Sequence, residues 1–219
     1  MISNILSKLN SELISLLFSA PVVLVAIICH EYAHGWVSLK LGDPTAKQSG
    51  RLTLNPLKHI DPIGAICMLI FHIGWAKPVP INPYYYKNRK KGIILVSIAG
   101  PLINFVIAFL SVAINVSLFK WGNHDSVVIW FFNMLSYYSA VVNIGLGLFN
   151  LIPIPPLDGS KILGELCPKI NAVYYKYGRY IHIALLILII SGILSKPFQI
   201  LNNVLINMMY FILRIIFRI

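Results

Sequence analysis

Long apolar runs, separated by polar and proline-rich stretches, dominate the chain. A helix that crosses the hydrocarbon core of a bilayer needs about 20 mainly apolar residues, and three runs exceed that length. A further apolar stretch at 63–76 is too short to cross, and we expect it to be re-entrant, interfacial or packed against other helices. The pattern predicts an all-α polytopic membrane protein, a helical bundle of about five to six spans, with runs near 13–39, 92–119, 126–154, 180–195 and 197–217.

Composition supports this class of protein. The chain has 219 residues, of which 58% are hydrophobic and 11% are charged, whereas soluble domains carry about 25% charged residues. No internal repeat, low-complexity tract or soluble domain remains between the apolar runs. We therefore expect one membrane-embedded domain over 1–219, with a core at about 13–165 and C-terminal helices at about 180–217.

Basic residues outnumber acidic ones by 18 to 7, so the formal net charge is +11. In a polytopic protein, basic loops set the orientation and face anionic lipid, so we expect membrane lipid and not nucleic acid as a partner. If the spans alternate in direction, 15 of the 18 basic residues lie on the side of 40–91, 156–180 and the C-terminal tail. The positive-inside rule then makes that side cytoplasmic.

Three ionisable residues interrupt the first apolar run in the pattern His30-Glu31-x-x-His34. On a helix, a spacing of four residues places both imidazoles on one face, about one turn apart, where they can share a zinc ion. Glu31 is then placed to take a proton from a zinc-bound water. Because ionisable side chains are costly inside a membrane, they must face protein, water or a metal. The alternative is a buried polar cluster that joins helices.

A catalytic zinc site usually has a third protein ligand, and Asp158 is the candidate. The chain has only seven acidic residues, and Asp158 follows the proline-rich stretch 153–156, where the long span 126–154 ends. Proline cannot continue a regular helix, and a broken helix end in a membrane protein is tolerated where it lines a cavity. Asp158 and His34 both approach the same side of the membrane. The alternative is a turn or capping role for Asp158.

Three motifs, HEYAH, SIAGPLINF and NLIPIPPLDG, occur in the order found in the site-2 protease family of intramembrane zinc metalloproteases. The chain resembles the compact members of that family, without a PDZ or CBS domain, over about 25–165. The resemblance implies a Zn²⁺ ion held by His30, His34 and Asp158, and Glu31 as the general base. It also implies a catalytic core of three helices.

Two asparagines match polar positions of the later motifs. The resemblance implies that Asn150 binds the substrate backbone or the oxyanion near the zinc, and that Asn104 has a structural or substrate-positioning role. An ordinary hydrogen bond between helices is the alternative for each. Gly100, in the same motif as Asn104, is expected to allow close helix approach.

The segment 41–91 is expected to contain short strands, because GRLTL alternates in polarity, AKPVPI is extended, and the family carries a small membrane-associated β-sheet. An unfolded substrate could pair with an edge of that sheet.

The function that follows is hydrolysis of a peptide bond within or near a transmembrane segment of a membrane-protein substrate, which is regulated intramembrane proteolysis. The expected location is the bacterial or archaeal cytoplasmic membrane, with the active site near the cytoplasmic side. A zinc-binding transporter or a non-catalytic membrane chaperone with the same fold is the alternative. The sequence leaves the substrate and the oligomeric state open.

Overall fold

The computed structural model describes residues 2–61, 64, 77–122 and 125–218, with side chains from Leu13 onward. The short apolar stretch at 63–76 lies outside the described residues, except for Gly64. Seven α-helices are present in the described part: α1 (Ile2–Lys40), α2 (Thr45–Gln48), α3 (Arg89–Trp121), α4 (Val127–Asn150), α5 (Asp158–Leu166), α6 (Pro168–Ile190) and α7 (Ser195–Phe217).

Five of these helices, α1, α3, α4, α6 and α7, are long and apolar enough to cross a membrane. This confirms the predicted all-α multi-pass class. The first helix is longer than its apolar run predicts, since it begins at Ile2 and continues through Pro21. The final turns of α4 end at Asn150, before the prolines of 153–156, as the sequence predicts.

The centre of the bundle is formed by α3 and α4, with α1 packed on both and α7 packed on their other side. The core between α3, α4 and α7 contains several small and β-branched residues, which let the helices approach closely. Its buried members are Ala108, Val112, Val116, Ala140, Ile144, Ile206 and Leu213. Many large apolar side chains elsewhere are exposed, as expected for helices that face lipid.

The last helix runs in the direction opposite to the one that alternating spans predict. Phe198, near its start, packs against Phe149 at the end of α4, with ring centroids 6.1 Å apart. Phe217, at its end, packs against Trp121 at the end of α3, with ring centroids 5.4 Å apart. Helix α7 is therefore antiparallel to α4 and parallel to α3. We call the end of the bundle that carries Lys40 and Asp158 the site end, and the opposite end the far end. The C-terminus lies at the far end.

This direction has a consequence for α6. The Tyr174 hydroxyl donates to the Pro153 carbonyl, 2.5 Å away, so α6 begins at the site end, where α7 also begins. The four residues 191–194 that connect them reach about 18 Å at most, which is less than the ~30 Å hydrocarbon core. In this arrangement α6 does not run from the site end to the far end of the bundle. It packs chiefly against α5.

The reversed helix changes the predicted charge distribution only slightly. Arg214 and Arg218 move to the far end and Lys196 moves to the site end, which leaves 14 of the 18 basic residues at the site end. The bias that the positive-inside rule uses is therefore retained.

The expected β-sheet is not found: no strand is present in the described parts of 41–61 and 77–88. Ile60 forms an isolated bridge and the Lys77 N–H donates to the His59 carbonyl, but side chains bind the backbone around this contact. The Arg51 guanidinium donates to the carbonyls of Lys58, Lys77 and Pro78, while the Asp43 carboxylate accepts from the Asn82 N–H. Prolines at 78, 80 and 83 also lack the N–H that a ladder requires.

The direction of α7 can be tested by labelling single cysteines in a cysteine-free background with a membrane-impermeant maleimide in sealed, oriented vesicles. Lys47→Cys and Lys196→Cys are expected to label from one side, and Arg218→Cys from the other, because the first two lie at the site end. Alternating spans would instead place Arg218→Cys with Lys47→Cys and put Lys196→Cys on the opposite side.

Candidate metal centre

The candidate site lies at the site end of the bundle, where side chains of α1 and α5 meet. His30 and His34 lie one turn apart on α1, and Asp158 is the first residue of α5. All three side chains are buried, with 4–5% of each residue exposed. The structure therefore brings together the three residues predicted as metal ligands.

Three atoms of these residues form a nearly equilateral triangle. The distances are 3.0 Å between His34 Nε2 and His30 Nε2, 3.1 Å between His30 Nε2 and Asp158 Oδ2, and 3.0 Å between His34 Nε2 and Asp158 Oδ2. Ligands of a tetrahedral zinc ion, each about 2.0–2.1 Å from the metal, are separated by about 3.3 Å. The spacing of the three atoms thus fits one zinc ion.

The hydrogen bonds behind the imidazoles determine which ring nitrogen faces the triangle without a proton. His34 Nδ1 donates to the Val96 carbonyl, 2.7 Å away, and a carbonyl can only accept. His30 Nδ1 lies 2.6 Å from Asn104 Oδ1 and donates to it. In the neutral rings, both Nε2 atoms therefore present lone pairs to each other and to a carboxylate oxygen. Lone pairs at this distance repel, and a cation between them would remove that repulsion.

The second oxygen of Asp158 is bound separately. Lys161 Nζ donates to Asp158 Oδ1 at 2.8 Å. Burial by itself would raise the pKa of the Asp158 carboxyl, and the positive charge of Lys161 beside it acts in the opposite direction and favours the ionised form. Asp158 is thus an ionised carboxylate, the form that coordinates a metal.

Two glycines allow close backbone packing around the ligands. A Cβ on Gly100 of α3 would lie 2.5 Å from the Nε2 atoms of both His30 and His34, as the predicted close approach requires. A Cβ on Gly159 would lie 2.2 Å from the Leu151 carbonyl. Gly159 has no positive φ, so its importance is this packing and not an unusual turn conformation.

A chain of amide hydrogen bonds connects His30 to the interior of the bundle. Asn104 is completely buried, and its Nδ2 donates to Asn143 Oδ1 at 2.8 Å, while Asn143 Nδ2 donates to the Ser139 carbonyl at 2.9 Å. Since that carbonyl can only accept, it fixes the orientation of both amides and directs Asn104 Oδ1 toward His30. Of the two roles implied for Asn104, this contact supports the structural one.

The remaining predicted residues lie beside the triangle or apart from it. Glu31 is half-buried, and its Oε2 accepts from the Val79 N–H at 2.8 Å. Asn150 donates to the Leu146 carbonyl of its own helix, and among the described residues it has no hydrogen bond to the three ligands.

Sequence reasoning missed three contributors: Asn143, Lys161 and the backbone of Val79. An amide in an apolar span was a usable signal for Asn143, because such a group needs a partner inside the membrane. No comparable signal marks a backbone N–H.

Removal of the amide behind His30 should weaken the metal site. Asn104→Ala is expected to lower zinc affinity about 10- to 100-fold, the usual effect of losing the partner of a ligating histidine. The measurement is zinc dissociation in competition with a chelator. Asn115→Ala is the matched control, because Asn115 makes part-buried hydrogen bonds between helices on the same helix but at the far end; its zinc affinity should not change. Equal affinities for the two variants would contradict the role of Asn104.

Comparison with known proteins gives consistent matches. Residues 115–191 match the family model described as Peptidase family M50. The chain is 41% identical over 148 residues to a Bacillus subtilis (strain 168) protein named "Putative zinc metalloprotease YwhC", with 67% of each chain covered.

More distant relatives carry similar names. Rip2 of Mycolicibacterium smegmatis is 32% identical over 154 residues, which cover 68% of this chain and 55% of Rip2. The protein named "Zinc metalloprotease MJ0392" of Methanocaldococcus jannaschii is 31% identical over 157 residues, which cover 72% of this chain and 34% of MJ0392. No solved structure matches the chain.

Proposed function

The chain belongs to peptidase family M50, the site-2 proteases, and is a zinc metalloprotease of the membrane. We propose that it hydrolyses a peptide bond within or near a transmembrane segment of a membrane-protein substrate. The observation that carries this proposal is the convergence of three lone-pair atoms, from His30, His34 and Asp158, beside the half-buried carboxylate of Glu31. The transporter or chaperone alternative is not favoured, because the relatives are named as metalloproteases.

The roles of the site residues follow from this arrangement. His30, His34 and Asp158 hold the zinc ion, which when bound supplies a Lewis acid that polarises the scissile carbonyl and acidifies water. Glu31 takes a proton from the attacking water and returns it to the leaving amine. Asn104 holds His30 in the orientation that presents Nε2. Asn150, at the end of α4, binds the substrate backbone.

Depth in the membrane supports cleavage close to the cytoplasmic surface. His34 lies six residues before the end of α1 at Lys40, which is about 9 Å along the helix. The 14 basic residues at the site end support a cytoplasmic location for that end. Water then has a short path to the metal. A catalytic core at 13–165, a bacterial or archaeal cytoplasmic membrane, and a role in regulated intramembrane proteolysis complete the proposal.

The base assignment is tested by Glu31→Gln in the purified protein, reconstituted with a model single-span substrate. The variant should keep equimolar zinc and lose turnover by at least about 10²-fold, because the amide cannot accept the proton. Product is measured by mass spectrometry and zinc by elemental analysis. Glu165→Gln, the same change at a half-buried carboxylate of α5, should retain wild-type turnover. Substantial cleavage by Glu31→Gln would refute the assignment.

A further inference from the structure

The segment 77–82, which we call the strap, crosses α1 beside the metal site. Its central residue, Val79, is only 5% exposed and donates its N–H to Glu31 Oε2 at 2.8 Å. The Val79 side chain rests on Gly35, one turn after Glu31, where an added Cβ would lie 3.0 Å from Val79 Cγ1. Both the backbone and the side chain of Val79 are therefore fitted to the helix face that carries Glu31.

The sequence of the strap leaves little choice of donor. Pro78 and Pro80 have no N–H, so Val79 is the only donor between Lys77 and Ile81. The proline rings also restrict φ, and each disfavours helical backbone at the residue before it. Between the two prolines, the strap thus presents a single N–H, that of Val79, to the Glu31 carboxylate.

Both ends of the strap are fixed by other groups. At one end, Lys77 N–H donates to the His59 carbonyl at 2.8 Å, and the Arg51 guanidinium donates to the Lys77 carbonyl at 2.6 Å and the Pro78 carbonyl at 3.2 Å. At the other end, Asn82 N–H donates to Asp43 Oδ2 at 2.7 Å.

Asp43 is itself firmly held. It is completely buried and accepts further hydrogen bonds from the Ser38 hydroxyl at 2.7 Å and from the Thr45 N–H at 2.9 Å. Burial by itself would raise the pKa of the Asp43 carboxyl, but these hydrogen bonds hold that pKa below its usual value, so Asp43 remains an acceptor at neutral pH. The strap is thereby anchored to the loop after α1, independently of the metal ligands.

We propose that the strap positions the Glu31 carboxylate through the Val79 N–H, and that Arg51 and Asp43 hold the strap for this purpose. One carboxylate oxygen is engaged by Val79; Oε1 has no hydrogen-bond partner among the described residues and is left to accept the proton of the attacking water. Fixing the carboxylate in this way removes rotational freedom before the reaction, and a displacement of about 1 Å at such a group can cost about 10²-fold in rate. The inference rests on the proposed role of Glu31.

Val79→Pro tests the strap, because it deletes the Val79 N–H and keeps an apolar side chain against Gly35. We expect kcat to fall about 10-fold or more, while KM, zinc content and the melting temperature stay close to wild type. Val79→Ala is the matched control: it keeps the N–H and loses packing, so its melting temperature should fall while kcat stays within about twofold. A role limited to folding would reverse this order.

Arg51 gives a second test, useful should Val79→Pro fail to fold. Arg51→Ala is expected to lower kcat with KM and zinc content unchanged, and Arg51→Lys should restore little, because an ammonium group cannot serve several separated carbonyls as a guanidinium fork does. Full activity in both Val79→Pro and Arg51→Ala would overturn the proposal. Increased turnover in either would overturn it too and identify the strap as a lid.

The two proposals fail in different ways. Should Glu31→Gln remain active, the base assignment fails whatever the strap variants do. When Glu31→Gln loses turnover as expected, adding Val79→Pro to it should not lower the residual turnover further, since the N–H acts only through the carboxylate. A further loss in the double variant would show that Val79 acts by another route and would overturn the strap proposal alone.

Discussion

The convergence of three electron-rich atoms on one point inside a membrane is the constraint on which the rest of the structure depends. His30 Nε2, His34 Nε2 and Asp158 Oδ2 lie 3.0–3.1 Å apart and are almost fully buried. The repulsion among these three atoms is unfavourable without a positive charge at their centre, because little water is present to screen it. The fold must therefore supply the ligands, the space for a cation and the hydrogen bonds that keep the lone pairs pointing inward.

The bundle meets these requirements with small residues and amides. Gly100 lets α3 approach both imidazoles, and the amides of Asn104 and Asn143 link α3, α4 and His30 in one directional chain. A second amide pair, Asn115 and Asn133, joins the same two helices at the far end. Inside a bilayer such polar groups must find partners within the protein. The same contacts that hold α3 to α4 therefore also orient a metal ligand.

The region between α1 and α3 is held by a different kind of contact. Its backbone groups are bound by the side chains of Arg51, Asp43 and Glu31 instead of by neighbouring strands. Prolines remove donors that would support a ladder, and the N–H groups of Val79 and Asn82 donate to the carboxylates of Glu31 and Asp43. A segment held in this way is extended without being a strand. It also connects the basic loop at the site end with the acid beside the metal.

Local chemistry along the chain determined the membrane class, the end of α4 and the identity of the candidate ligands. The spacing of His30 and His34 is fixed by the helix itself, and a proline-rich break followed by a lone acid leaves few alternatives to Asp158. The family motifs extended this to the metal. These features are local, so a linear pattern is enough to show them.

Only the tertiary structure decided the direction of α7, the absence of strands in the described part of 41–88, and the partners of Asn104 and Glu31. An apolar helix has the same pattern whichever way it crosses, so hydropathy carries no information about direction. Alternating residues and prolines suit a strand and a side-chain-bound extended segment equally well. A backbone N–H such as that of Val79 is identical in every residue but proline, and its acceptor is set by packing between segments that are distant in sequence.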